Sequence, residues 1–256
     1  MENKNRAVGP QASAPDGDDG NDCLTVRTAC KTAREAVQKM PQGTNGLTLA
    51  PGIYDETIDV SHGRQVWIHG PMGADGSCPD MNAVMVRQFL VQDNATSWVQ
   101  CLSTGQVACR QLSIADVVDV RFSGMEQVLV ASETCRINTV RTLVLDSAFV
   151  IFAAAENYST IHVGGDIVVA RAGLTSVAYF VGAIDATVDL SSANFSGHPL
   201  QAGKRFYLDH SVLVLPPGGI RKIPGAVPGE FVNLSICRGG GIHGGGDAAC
   251  KERANE

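Results

Sequence analysis

His62, Arg64, Trp67 and His69 bring an aromatic surface and several polar groups into one short segment. Strand alternation puts Trp67 and His69 on one face. An indole beside polar groups can stack on a sugar ring, and it can equally cover the apolar edge of a core. Asn138, His162 and Thr187 occupy matching places in three later segments. Stacked outward they make a polar ladder that either holds sugar hydroxyls or simply faces solvent. Asp119 and Arg121 fall one repeat before Asp146, and an Arg121–Asp146 surface pair, worth about 0–1 kcal/mol, explains that spacing. The run Asp16–Asp22 (DGDDGND) lacks the Glu that closes an EF-hand loop and reads as a solvated acidic stretch. No G-x-S-x-G, H-E-x-x-H, phosphate loop or dinucleotide fingerprint in strand–helix context occurs. No catalytic residue is therefore assigned. The ligand-binding candidates are Trp67, His69, Asn138 and His162, and no metal or cofactor is expected.

Composition narrows the function classes. The 256 residues carry 20 Lys and Arg against 26 Asp and Glu, a net charge of −6, with no basic run. Phosphate-driven nucleic-acid binding is disfavoured by that balance. No stretch approaches the roughly 18 apolar residues that a membrane span needs, and the N-terminus shows no apolar core of a secretory signal. Aromatic residues are only 5%, so the core is expected to be thin layers of Val, Ile, Leu and Ala. The eight cysteines form no CxxC pair, which leaves structural zinc without support. Cys101, Cys109 and Cys135 sit among apolar residues and read as free buried thiols, although the even count leaves disulfides open.

The elements that position these residues follow from periodicity. Residues 1–20 are polar and rich in Gly, Pro and Asp, as in a flexible arm or anchor. A helix is predicted over 28–40, capped by Thr28 or Thr25, with Ala29, Ala33, Ala36, Val37 and Met40 at helical spacing and Pro41 and Gly43 ending it. Short β-branched segments then take over. From about 115 to 190 they recur in sets of three: 117–122, 127–130 and 136–140; 142–147, 149–153 and 160–163; 166–171, 177–181 and 186–190. Corresponding starts fall about 22 to 28 residues apart with no helix between them, the signature of a solenoid. Stacking equivalent strands predicts inward columns Val118–Leu143–Ile167 and Val120–Leu145–Val169. An antiparallel sandwich would not require matched triplets. The Pro/Gly-rich stretch 216–230 cannot continue a ladder and closes or leaves the solenoid, and 238–246, mostly Gly, reads as flexible.

The run Asn21–Ala33 (NDCLTVRTACKTA), then Leu47–Val60 (LTLAPGIYDETIDV) and Val66–Gly70 (VWIHG), resembles the opening of pectin-lyase-like right-handed parallel β-helix proteins. The resemblance is close over 21–70 and rests on periodicity over 71–215. It implies an all-β right-handed parallel β-helix of three-strand coils with an N-terminal capping helix: an arm at 1–20, a capping segment at 21–45, the β-helix at 46–215 and a closing segment at 216–256. Proteins opening this way include phage tail spikes and fibres, prophage-associated proteins and secreted bacterial β-helix proteins. Gly203–Asp209 with Ile223–Gly225 is similar to the ends of phage-associated members.

Enzymes of this fold use clustered carboxylates, and no such cluster stands out. The resemblance therefore implies a structural or attachment component of a virion, tail-spike or fibre-like, that presents its surface to host cell-surface polysaccharide. It would dock to other virion proteins through residues 1–20 and form a homotrimer, with the outward Val144 and Val168 in the subunit interface. Its location would be the particle or the extracellular space. The alternatives are a polysaccharide lyase or glycoside hydrolase on the same fold and a secreted bacterial surface adhesin.

Overall fold

The computed structural model describes residues 11–124 and 127–239. Its strands join into a continuous 17-stranded sheet in which every pairing is parallel. One inward column shows the winding: Asn45, Val66, Ser97, Ala115, Ile137, Ile161, Val188, Leu213 and Cys237 are register partners in turn. From Ala115 the chain returns to this column after 22, 24 and 27 residues. A chain that pairs in parallel with itself one turn later, with no helix between turns, is a parallel β-helix, as the periodicity predicts.

Each coil has three faces. In the third coil the strand Thr96–Cys109 bends through all of them without a break, the first face at 96–100, the second at 102–104 and the third at 106–109. The corner between the first two faces is made by single residues with positive φ, Cys101 (57°), Asp119 (50°), Arg141 (65°) and Gly165 (83°). At Gly165 a Cβ would lie 1.9 Å from the Arg141 carbonyl oxygen, so the corner closes there only with glycine. The corner also corrects the predicted register. The inward columns are Val120–Leu143–Ile167–Phe195 and Phe122–Leu145–Val169–Gly197, because a bulge between Val118 and Val120 sets Asp119 against both Arg141 and Thr142.

The corner from the third face back to the first uses a different device. Positive-φ residues stack there coil on coil: His62, Asp93 and Asn94, Gln111 and Leu112, Glu133 and Thr134, Asn157 and Tyr158, Asp185, His210 and Asn233. Just inside the turn, the hydroxyls of Ser113, Ser159 and Ser211 each accept a hydrogen bond, at 3.1 Å, from the backbone N–H of Ala95, Cys135 and Ala186 on the preceding coil. Buried donors that the bent ladder cannot pair are satisfied in this way.

The helix is shorter than predicted. Val26–Thr28 is a 3-10 turn capped by Thr25, and the α-helix spans Ala33–Lys39, with the Thr32 hydroxyl accepting from Glu35 N. The competing turn is fixed by a Cys23–Cys30 disulfide. Ala33, Ala36, Val37 and Met40 are buried as expected, and the Glu56 carboxylate accepts from Ala33 N (2.8 Å) and Arg34 N (3.1 Å), seating the helix on the first coil. The expected arm is partly built in: Gln11–Ser13 forms a strand against Leu47–Leu49. Residues 1–10 lie outside the described residues. At the other end the ladder resumes after the proline-rich stretch, with Glu230–Val232 and Ile236–Arg238 pairing to 207–209 and 212–214. The expected flexible segment from 240 onward falls outside the described residues.

The expectation of free thiols is overturned. Cys23–Cys30, Cys78–Cys101 and Cys109–Cys135 are disulfides, with Cα atoms 4.9, 5.1 and 5.9 Å apart, and Cys237 is also disulfide-bonded. The geometric reason is stacking: partners 23 and 26 residues apart fall one coil apart, within bridging distance.

Candidate functional site

The outward column on the first face is the most chemically varied surface of the molecule. Its register partners run Trp67, Trp98, Asp116, Asn138, His162 and Asp189. Five strand spacings of about 4.8 Å make this row about 24 Å long. Strand alternation forces the arrangement, because each member is flanked by buried neighbours such as Val66 and Ile68, Val99, Ala115 and Val117, Ile137, Ile161 and Val188.

Trp67 is 41% exposed and Trp98 is half-buried, so two indoles open the row. A hydrogen-bonded ladder follows. Asn138 Nδ2 donates to Asp116 Oδ1 (2.6 Å), and Arg136 Nε donates to Asn138 Oδ1 (2.8 Å). His162 Nδ1 lies 3.2 Å from Asp189 Oδ2, and Ser191 N donates to Asp189 Oδ1 (2.8 Å). Burial alone would push the Asp189 carboxyl up, but the Ser191 backbone and side-chain bonds together with His162 outweigh it and hold the group below its ordinary range. Asp116 Oδ2 and His162 Nε2 have no hydrogen-bond partner among the described residues. The row therefore offers a ring-stacking end and a polar end with spare acceptor and donor capacity. Val118 and Val140, half-buried and exposed respectively, add apolar surface alongside it.

Three of the four predicted candidates, Trp67, Asn138 and His162, lie on this one row. His69 lies beside it, its ring 5.0 Å from that of Trp67. It bridges Thr48 Oγ1 (3.2 Å from Nε2) and the Gly70 carbonyl (2.8 Å from Nδ1), so both ring nitrogens are already engaged. Thr187 does not join the ladder: it aligns with Thr160 and Arg136, one outward position away, and Asp189 takes the place expected for it. Trp98, Asp116 and Asp189 went unrecognised. Trp98 follows Trp67 by 31 residues because a loop at 70–83 enlarges that coil and hides the match. That loop is strapped to the first corner by the Cys78–Cys101 disulfide and by Arg141 Nη1 donating to the Gly76 carbonyl (3.3 Å).

The other predicted constellation is structural. Arg121 Nε and Nη2 reach Asp146 Oδ2 at 2.9 and 2.6 Å, and Arg171 reaches the same carboxylate from the next coil. It is not the surface pair expected, since the Asp146 side chain is only 9% exposed between two guanidiniums.

Paired-carboxylate hydrolysis requires carboxyl groups about 5–9.5 Å apart. Asp116 and Asp189 stand three strand spacings apart, about 14 Å, which is too far for either stereochemical course. Among the described residues, no group of three or more His, Cys, Asp and Glu is arranged to hold a metal ion.

No family model matches the chain, and no curated protein matches it. Among solved structures it is similar to a pectin methylesterase from Aspergillus niger. Identity is 11%, coverage 91% of this chain and 84% of that one, and the TM-score 0.31. At that distance no residue role transfers. The fold rests on the parallel ladders themselves.

Proposed function

We propose that this protein is a non-enzymatic, glycan-binding β-helix whose first face carries an extended polysaccharide along the row Trp67–Asp189. The observation that supports it is the row itself: two indoles suited to sugar faces lead into a ladder of Asp, Asn and His suited to sugar hydroxyls. A fixed repeat of about 4.8 Å suits a chain ligand better than a compact one. A rigid solenoid in which each coil is held by two neighbours suits an attachment role. The finer reading is a virion component, spike- or fibre-like, that meets host polysaccharide as a homotrimer with Val144 and Val168 toward its partners.

One observation favours a second setting. The disulfides favour an oxidising environment, which a secreted surface adhesin meets during folding. Affinity electrophoresis through gels containing bacterial surface polysaccharides tests the common core of both readings. A retarding polysaccharide is expected, with retardation reduced at least tenfold in the Trp67→Ala/Trp98→Ala variant. Equal retardation of both proteins would sink the assignment to this face. Release of reducing ends, or new absorbance near 235 nm, would replace it with a hydrolase or lyase.

A further inference from the structure

A second surface, remote from the Trp67–Asp189 row, concentrates positive charge in an otherwise acidic protein. Where the second face turns into the third, at the C-terminal end of the solenoid, a cavity of about 350 Å³ is lined by Arg205, Arg221, Lys222 and His198. No Asp or Glu lines it, although the chain as a whole carries a net charge of −6. Arg221 and Lys222 are exposed and have no ion pair among the described residues. The remaining wall is apolar: Phe195 is packed edge-on against Phe180 at 5.5 Å, and Leu200 and Ile223 are almost fully buried.

The walls are set in advance. His198 N donates to the Val169 carbonyl (3.0 Å), Arg205 N to the Val227 carbonyl (3.1 Å) and Ile223 N to the Ile220 carbonyl (3.2 Å). Gly225 lies so close that a Cβ there would meet Arg205 N at 2.8 Å, which holds the 221–225 segment against the coil. A preformed pocket spends less of its interaction energy on ordering itself.

We infer that this cavity is a separate binding site for an anionic sugar unit, a pyranose bearing a carboxylate, with the anion held by Arg221 and Lys222 and the ring against Phe195 and Leu200. Arginine and lysine without paired carboxylates favour an oxyanion, and the apolar wall suits the C–H face of a sugar ring, which bare phosphate lacks. The site does not depend on the first-face row. If both are real, the protein grips an acidic polysaccharide at two places.

Calorimetry on the full chain, with glucuronate, glucose and inorganic phosphate as probes, tests this. Glucuronate is expected to bind at least tenfold more tightly than either glucose or phosphate, and to weaken as salt is raised. The Arg221→Gln/Lys222→Gln variant, altered only at exposed side chains, should lose that binding at least tenfold with an unchanged thermal midpoint. The Trp67→Ala/Trp98→Ala variant should keep it, so failure here and failure of the first-face reading are told apart. Equal affinity for glucuronate and glucose, tighter phosphate binding, or full glucuronate binding in the Arg221/Lys222 variant would each overturn the assignment.

Discussion

The coils before residue 136 and those after residue 148 are locked by different means. In the first part covalent cross-links do much of the work: Cys23–Cys30 closes the cap, Cys78–Cys101 straps the long loop to a corner, and Cys109–Cys135 ties two coils together. In the second part phenylalanines fill the interior. Phe152 stacks on Phe180 at 4.7 Å, Phe149 and Phe195 meet Phe180 edge-on, and Phe206 packs on Phe231 at 4.7 Å. A thin solenoid core buries little per coil. The difference shows two ways to add stability to it, constraint of the unfolded chain or a larger apolar payload. The outward row of the first face crosses the boundary, with Trp67 and Trp98 on the cross-linked side and His162 and Asp189 on the aromatic side, so binding along it requires both parts in register.

The largest effect should come from the aromatic part. Phe180→Ala removes the hub of its stack and should cost about 3–5 kcal/mol, read as a lower denaturation midpoint with hydrogen-exchange protection lost mainly after residue 148. If protection falls equally in both parts, the division is wrong. Cys109→Ser/Cys135→Ser should cost about 2–4 kcal/mol, with protection lost mainly before residue 136 under non-reducing conditions.

Tyr54→Phe sharpens the account of the first coil. The Tyr54 hydroxyl donates to the Ser13 (2.8 Å) and Ala50 (3.1 Å) carbonyls, tying the first strand down, and its loss should cost about 1 kcal/mol. Burial pushes this phenol above its ordinary value of 10.0, so the protonated form is favoured in the folded protein. Its contribution is complete below pH 10 and is lost as pH rises further. Tyr54→Phe should therefore flatten the alkaline limb of the stability curve, and an unchanged limb would contradict this. The smallest effect belongs to Asp189. Its carboxyl is held below the ordinary 3.8, so its contribution is present above that pH and lost as pH falls through the lower folded value. Asp189→Asn should flatten the acid limb without moving the alkaline one.

Much of this architecture was legible in the residues. Matched triplets between 115 and 190 predicted both the winding and its period, and strand alternation placed Trp67, Asn138 and His162 outward. The failures share a cause. Corners bend a strand without interrupting it, so the break expected at Val140–Thr142 lies inside the strand Arg136–Leu145, and one bulge at Asp119 slid the predicted columns. Coil length also varies from 18 residues, Ser97 to Ala115, to 31, Val66 to Ser97, which concealed Trp98 as the partner of Trp67. For the disulfides a usable signal existed: separations of 23 and 26 residues match one coil. Apolar surroundings suggested free thiols because that inference weighs local context and ignores stacking.

The chain contains two tryptophans, Trp67 and Trp98, and both lie on the first-face row, so intrinsic tryptophan emission reports on that row alone. Titrating the protein with a polysaccharide that retards it in affinity gels, while following that emission, is the most direct test. The account predicts a saturable emission shift whose midpoint matches the binding curve and moves at least tenfold in Asn138→Ala/His162→Ala. Binding with no change in emission would place the glycan elsewhere and contradict the first-face assignment.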